Sequence, residues 1–133
     1  MKPPAQDIVA RQLVWQALSD LYLDTALSPE VIQGNARILA ESPYSLTELH
    51  RILADEVNPA CLANLLSVAG TWTAFDSAWL KSHILARHQA SLKWPARLLP
   101  TPRSVRRQTA DLLARVAALR SGSLAHTQPW ASA

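Results

Sequence analysis

Cysteine and glycine are scarce in this chain of 133 residues, and a long apolar run is missing. A single cysteine, Cys61, cannot close an internal disulfide, so no secretory disulfide framework is present. Three glycines leave little material for a turn-rich β-sandwich or a Gly-rich phosphate loop. No stretch approaches the ~20 apolar residues that a membrane span requires. The first seven residues, Met1 to Asp7, lack the apolar core of a signal peptide, and a cytoplasmic location is the expectation. What is present is 49% apolar and 17% charged. That suits a single domain burying roughly two-thirds of its unfolded surface.

The net charge of +3 is the difference between two unlike halves. Residues 1–80 carry four basic residues against nine acidic ones; residues 81–133 carry nine basic residues against Asp111 alone. Such a split points to an electrostatic partner, either another molecule or the other half of the same chain. The plainer reading is a solvated basic tail beside an acidic body. Arginine outnumbers lysine ten to three, which suits bidentate contacts to carboxylate or phosphate.

The apolar period is helical throughout. Over 6–24, Ala10, Val14, Ala17, Leu18 and Leu21 share a face flanked by Trp15 and Tyr22, with Gln12, Gln16, Ser19 and Asp20 opposite. Ser28-Pro29-Glu30 opens a second helix with a cap, a proline at the first position and an early acid; its apolar set is Val31, Ile32, Ile38 and Leu39. Ser45 and Glu48 form a capping box, with Tyr44 placed to staple onto Leu49; the stripe continues through Ile52, Leu53 and Val57. Asn58-Pro59 is read as the stop of that helix and the start of a fourth, running toward Gly70 as C-cap. Phe75-Asp76 repeats the staple and cap for a fifth helix at about 77–92. After a Pro-rich connector at 93–102, a basic amphipathic helix is expected over 102–121, buried through Val105, Leu112, Val116 and Leu119, with Gly122 opening a tail of 122–133. The expectation is one all-α, bundle-like domain over 1–133 with five or six helices, its body at 6–92.

Candidate chemistry is thin. His83 and His88 are five apart and point about 140° from one another on a helix, the wrong spacing for a shared metal. Asp20 and Asp24 share a face at i,i+4, the mark of a solvated acidic surface more than of a metal site. Cys61 stands near a helix start, where a thiolate is favoured, but a free cysteine in an apolar helix reads first as a small buried hydrophobe. Ser67 lacks the G-x-S-x-G elbow, and no P-loop or dinucleotide fingerprint occurs. No catalytic residue, cofactor or metal is expected. Trp15, Trp72 and Trp79 read as core or rim; Trp130, in the tail, either folds back or anchors into a partner.

Arg103, Arg106 and Arg107 cluster at the first turns of the last helix, opposite its apolar stripe. Cations there oppose the helix dipole, so an anion or an acidic surface is called for. Nucleic acid supplies one through its phosphates; an acidic protein surface, a second copy or this chain's own first half supplies another.

The segments Val14–Thr25, Ser42–Leu49, Asp55–Val57 and Asn64–Trp72 resemble a family of short bacterial proteins with no assigned activity. The resemblance covers residues 11–85. It implies a bacterial, cytoplasmic, all-α protein and supplies no catalytic residue; the segment after about 93 falls outside it. Two functions from different classes follow. One is a non-enzymatic protein-binding module, an immunity-type inhibitor or adaptor, whose acidic face of Asp20, Asp24, Asp55 and Glu56 covers a basic partner such as a nuclease-like toxin. The other is a nucleic-acid-associated regulator using Arg103, Arg106 and Arg107. A small-ligand pocket lined by tryptophans is a third reading.

Overall fold

The computed structural model describes residues 1–23, 27–65, 77–90 and 100–126. Among these are six α-helices and no strand: α1 (Ile8–Ser19), α2 (Pro29–Glu41), α3 (Leu46–Ile52), α4 (Asn58–Leu65), α5 (Ser77–Ala90) and α6 (Arg103–His126). Single 3-10 turns at Pro4–Gln6 and Asp20–Tyr22 bracket α1, and a π turn at Leu53–Val57 joins α3 to α4. The all-α reading of the period holds. No helix among the described residues is long and apolar enough to cross a membrane. The expected Gly70 cap, the Phe75-Asp76 staple, most of the connector, Asp24, Trp72 and Trp130 lie outside the described residues.

Local signals set the helix starts. Ser28 Oγ accepts from the Val31 N–H at 3.2 Å, with Pro29 at the first helical position, as expected for α2. The capping box of α3 is complete: Glu48 N–H donates to Ser45 Oγ at 3.1 Å, and Ser45 N–H donates to Glu48 Oε1 at 2.9 Å. That second bond holds the Glu48 carboxyl below its ordinary range.

Burial corrects the expected face of α2. Leu39 and Ala36 are wholly buried and Asn35 nearly so, whereas Val31 and Ile38 stand 40% and 36% exposed. The Val31–Ile38 pair lies on a separate stripe from Ala36 and Leu39, and α6 packs on the latter.

Asn58-Pro59 does not stop the third helix. Asn58 is itself right-handed helical (φ −57°, ψ −48°), and its N–H donates to the Leu53 carbonyl five residues back. A proline inside a regular α-helix clashes with the carbonyl four residues earlier. The wider π turn ahead of Pro59 accommodates the ring, so helical backbone runs unbroken from Leu46 to Leu65. Gly122 likewise fails to end α6, which continues to His126. A glycine in helical conformation costs roughly 1 kcal/mol against alanine but terminates nothing by itself.

Val14, Trp15, Leu18, Leu39, Leu49, Ile52, Val57, Ile84 and Val116 form the centre of the core. The expected α6 stripe is buried at Val105, Leu112 and Val116 with Leu119 packed against it. Arg120 reaches the Tyr44 carbonyl, and Asn58 reaches the Pro100 carbonyl. The helical run from α3 into α4 therefore lies antiparallel to α6.

Candidate functional site

The π turn has a consequence for polar chemistry, because it directs Glu56 inward. Glu56 is 8% exposed and accepts from the indole N–H of Trp15 at 2.8 Å. Its other oxygen stands 3.1 Å from Nη1 of Arg11, which is 1% exposed. That approach is a charge contact without good hydrogen-bond alignment. Arg11 also donates to the Lys2 carbonyl, lies 4.0 Å from Asp7, and sits over the Tyr44 ring at 5.7 Å. Tyr44 in turn donates its hydroxyl to Asp7. Burial raises the Glu56 carboxyl above its ordinary range, against the opposing pull of the Trp15 N–H and the Arg11 charge.

Glu56 therefore departs from the expected acidic surface. Asp55 remains exposed, and Asp20, half-buried, accepts from Asn35 Nδ2 at 2.9 Å. Asn35 lines a cavity of about 230 Å³ with Leu21, Leu27, Ile32, Gln108, Asp111 and Leu112. Asp55 lines an open groove of about 780 Å³ with Leu46, Thr47, His50, Arg51, Ala54 and Leu113. At about 100° per residue, Leu113 lies across the buried stripe of α6 from Gln108 and Asp111. Asp20 and Asp55 are thus on opposite flanks of α6, and the structure does not gather them on one face. Among the described residues, neither lining includes a tryptophan.

The basic residues of α6 divide by role. Arg115 pairs with Asp111 at 3.4 Å and donates to Gln33 Oε1 at 3.3 Å. Arg120 spans the end of α2, donating to the carbonyls of Leu39, Ala40, Ser42 and Tyr44. Leu39 and Ala40 belong to the negative C-terminal end of α2, which a guanidinium suits, and Ser42 and Tyr44 to the link that follows it. Arg103, Arg106 and Arg107 are exposed and make no ion pair among the described residues.

Candidate nucleophiles are poorly placed. Cys61 is wholly buried and its thiol is pushed up to about 12 by burial. The neighbouring Tyr22 hydroxyl donates to Asn58 Oδ1 at 2.6 Å, and burial raises its pKa well beyond the ordinary value. His83 is exposed, stacked on Trp79 with ring centroids 4.0 Å apart. Among the described residues, no three of His, Cys, Asp and Glu converge as a metal would need.

The sequence reading overlooked Arg11. Its signal was present: Asp7, Arg11, Trp15, Leu18 and Tyr22 recur at steps of four, four, three and four, which places the arginine on the buried stripe.

No curated protein and no solved structure gives a significant match to this sequence. A model of a domain of unknown function, DUF7079, matches residues 9–119. That span holds Arg11, the π turn with Glu56, the open groove and all three free arginines. The shared region is therefore not limited to 11–85, and the arginine helix is a part of it. With 9–119 matched out of 133 residues, the chain belongs to the DUF7079 family of domains of unknown function.

Proposed function

We propose that this protein works by binding another protein, without turning over a substrate, as an immunity-type inhibitor or adaptor in the cytoplasm of a bacterial cell. One observation carries the reading. Arg103, Arg106 and Arg107 are presented outward without acidic partners among the described residues, and Arg106 shares the stripe of α6 that carries Leu113 on the wall of a groove with an apolar floor, while Arg11, Arg115 and Arg120 are engaged within the fold. Exposed, unpaired guanidinium groups steer an acidic surface toward the molecule and help select it. The sign of the partner is thereby reversed from the sequence expectation: of the acids that were to form one face, Asp20 and Asp55 are split between two flanks of α6 and Glu56 is in the interior.

A nucleic-acid role rests on the same three arginines. The groove on the Arg106 side of α6 favours a protein, since phosphates gain nothing from Leu46 and Leu113 and are repelled by Asp55. Affinity purification of the tagged chain from its native cell is expected to recover a stoichiometric acidic protein whose retention falls as salt rises. Recovery of nucleic acid or a small metabolite, with no protein, defeats the reading.

A further inference from the structure

We propose that the open groove between α3, the π turn and α6 is the docking site for an acidic amphipathic helix of the partner protein. This rests on the protein-binding reading and adds a place and a ligand class to it.

The groove has the form such a ligand needs. Leu46 and Thr47, His50 and Arg51, and Ala54 and Asp55 recur along one face of the continuous helical run. Leu113 supplies the facing wall from the antiparallel α6. Leu46 is 37% exposed, an apolar side chain left at the surface among groups that cover nothing. Two helices lying side by side leave a channel into which a third can set side chains spaced three and four residues apart. Leu46, Ala54 and Leu113 offer the floor for those anchors.

The rim selects the charge. Arg51 and Asp55 are four residues apart, yet no ion pair joins them, so the Arg51 guanidinium is available to a ligand. Arg106 is exposed and stands seven residues before Leu113, on the same stripe of α6 two turns toward its N-terminus. Arg51 thus lines the channel on the α3 side, and Arg106 lies on the line that continues the α6 wall two turns beyond Leu113. Carboxylates beside the apolar stripe of an incoming helix meet guanidinium groups that pair with them bidentately. Asp55 penalises a uniformly anionic polymer such as a duplex, whereas a helix can present acids to the two arginines and leave Asp55 unopposed.

The test is selection from a displayed library of helical peptides on the full chain, followed by affinity measurement on the winners. Winners are expected to carry apolar anchors at i and i+4 flanked by Asp or Glu. Arg51→Glu/Arg106→Glu is expected to weaken them at least tenfold, and the same peptides with their acids changed to lysine are expected to bind the double variant. That recovery shows the variant is folded. Winners without acids, affinity unchanged in the double variant, or failure of the charge-reversed pair each overturn the proposal. So does displacement of the peptides by a DNA duplex, or by a second copy of the chain. A native partner captured equally by wild type and double variant removes the groove and leaves protein binding standing. Absence of any native protein partner removes the broader reading even where peptides bind.

Discussion

Nη1 of Arg11 and Oε2 of Glu56 are 3.1 Å apart in the interior, joining the first helix to the π turn across 45 residues of sequence. Both groups are almost fully removed from water, so each depends on the other for charge compensation. The pair withdraws one acid and one base from the same half of the sequence, so the charge asymmetry between the halves is unchanged by it.

Removing the cation alone should be costly. Arg11→Met keeps most of the volume but leaves a buried carboxylate opposite an apolar chain. Breaking a buried pair in this way costs on the order of 3–5 kcal/mol. Urea denaturation near neutral pH is expected to show a loss of that size, and Arg11→Met/Glu56→Gln should recover part of it. A double variant no more stable than Arg11→Met would mean that the loss comes from packing around the arginine stem.

Glu56 also predicts a pH trend. Its folded pKa lies above the ordinary value of 4.5, mainly through burial, so folding takes up a proton between the unfolded and folded values. Its contribution is fully present below 4.5 and is lost as pH rises through the folded pKa. The stability of the wild type relative to Glu56→Gln should therefore decline across a series of urea melts from about pH 4 to 7. The amide keeps an oxygen for the Trp15 N–H, so the comparison isolates the charge. A difference that grows with pH would show that the Arg11 attraction outweighs burial.

The start of α3 should answer to a single hydroxyl. Ser45→Ala removes the acceptor of the Glu48 N–H while leaving the Ser45 N–H to Glu48 bond in place. The expected cost is about 1 kcal/mol, within the range for a lost N-cap, and Ser45→Asp should restore most of it. Thermal or urea melts measure both; an unchanged midpoint in Ser45→Ala would place the start of the helix elsewhere.

Both local starts, Ser28 and Ser45, were legible in the sequence because a cap is settled within four residues. The apolar stripes of α1 and α6 were legible for a different reason: their periods run over three turns or more. Asn58-Pro59 misled because a proline reads as a helix stop, and only the contacts of Glu56 and Asn58 with Trp15, Arg11, Tyr22 and Pro100 favour a widened turn in its place. Val31 and Ile38 misled because a sequence shows which residues are apolar and not which stripe a neighbouring helix covers. The candidate surface was half legible. Arg103, Arg106 and Arg107 are outward as expected, but the groove needs Leu113 opposite α3, an antiparallel pairing that no local pattern encodes.

That antiparallel pairing has its own latch. Arg120 Nε donates to the Ala40 carbonyl at 3.2 Å, and Nη2 donates to those of Leu39, Ser42 and Tyr44 at 3.1, 3.3 and 2.6 Å. Three elements meet at one guanidinium: the end of α2, the link to α3, and α6. The planar fork reaches several carbonyls at once, and its charge opposes the negative end of α2. Hydrogen bonds to charged groups contribute about 1.5–3 kcal/mol each, but the shared nitrogen and partial exposure keep the total from adding linearly. Arg120→Ala is expected to lower stability by about 2 kcal/mol in urea denaturation. Arg120→Lys should recover less than half, since one ammonium cannot span the same carbonyls. Equal stability of the Lys variant and wild type would reduce the role of Arg120 to its charge, and a harmless Arg120→Ala would show that α6 is held by its apolar stripe alone.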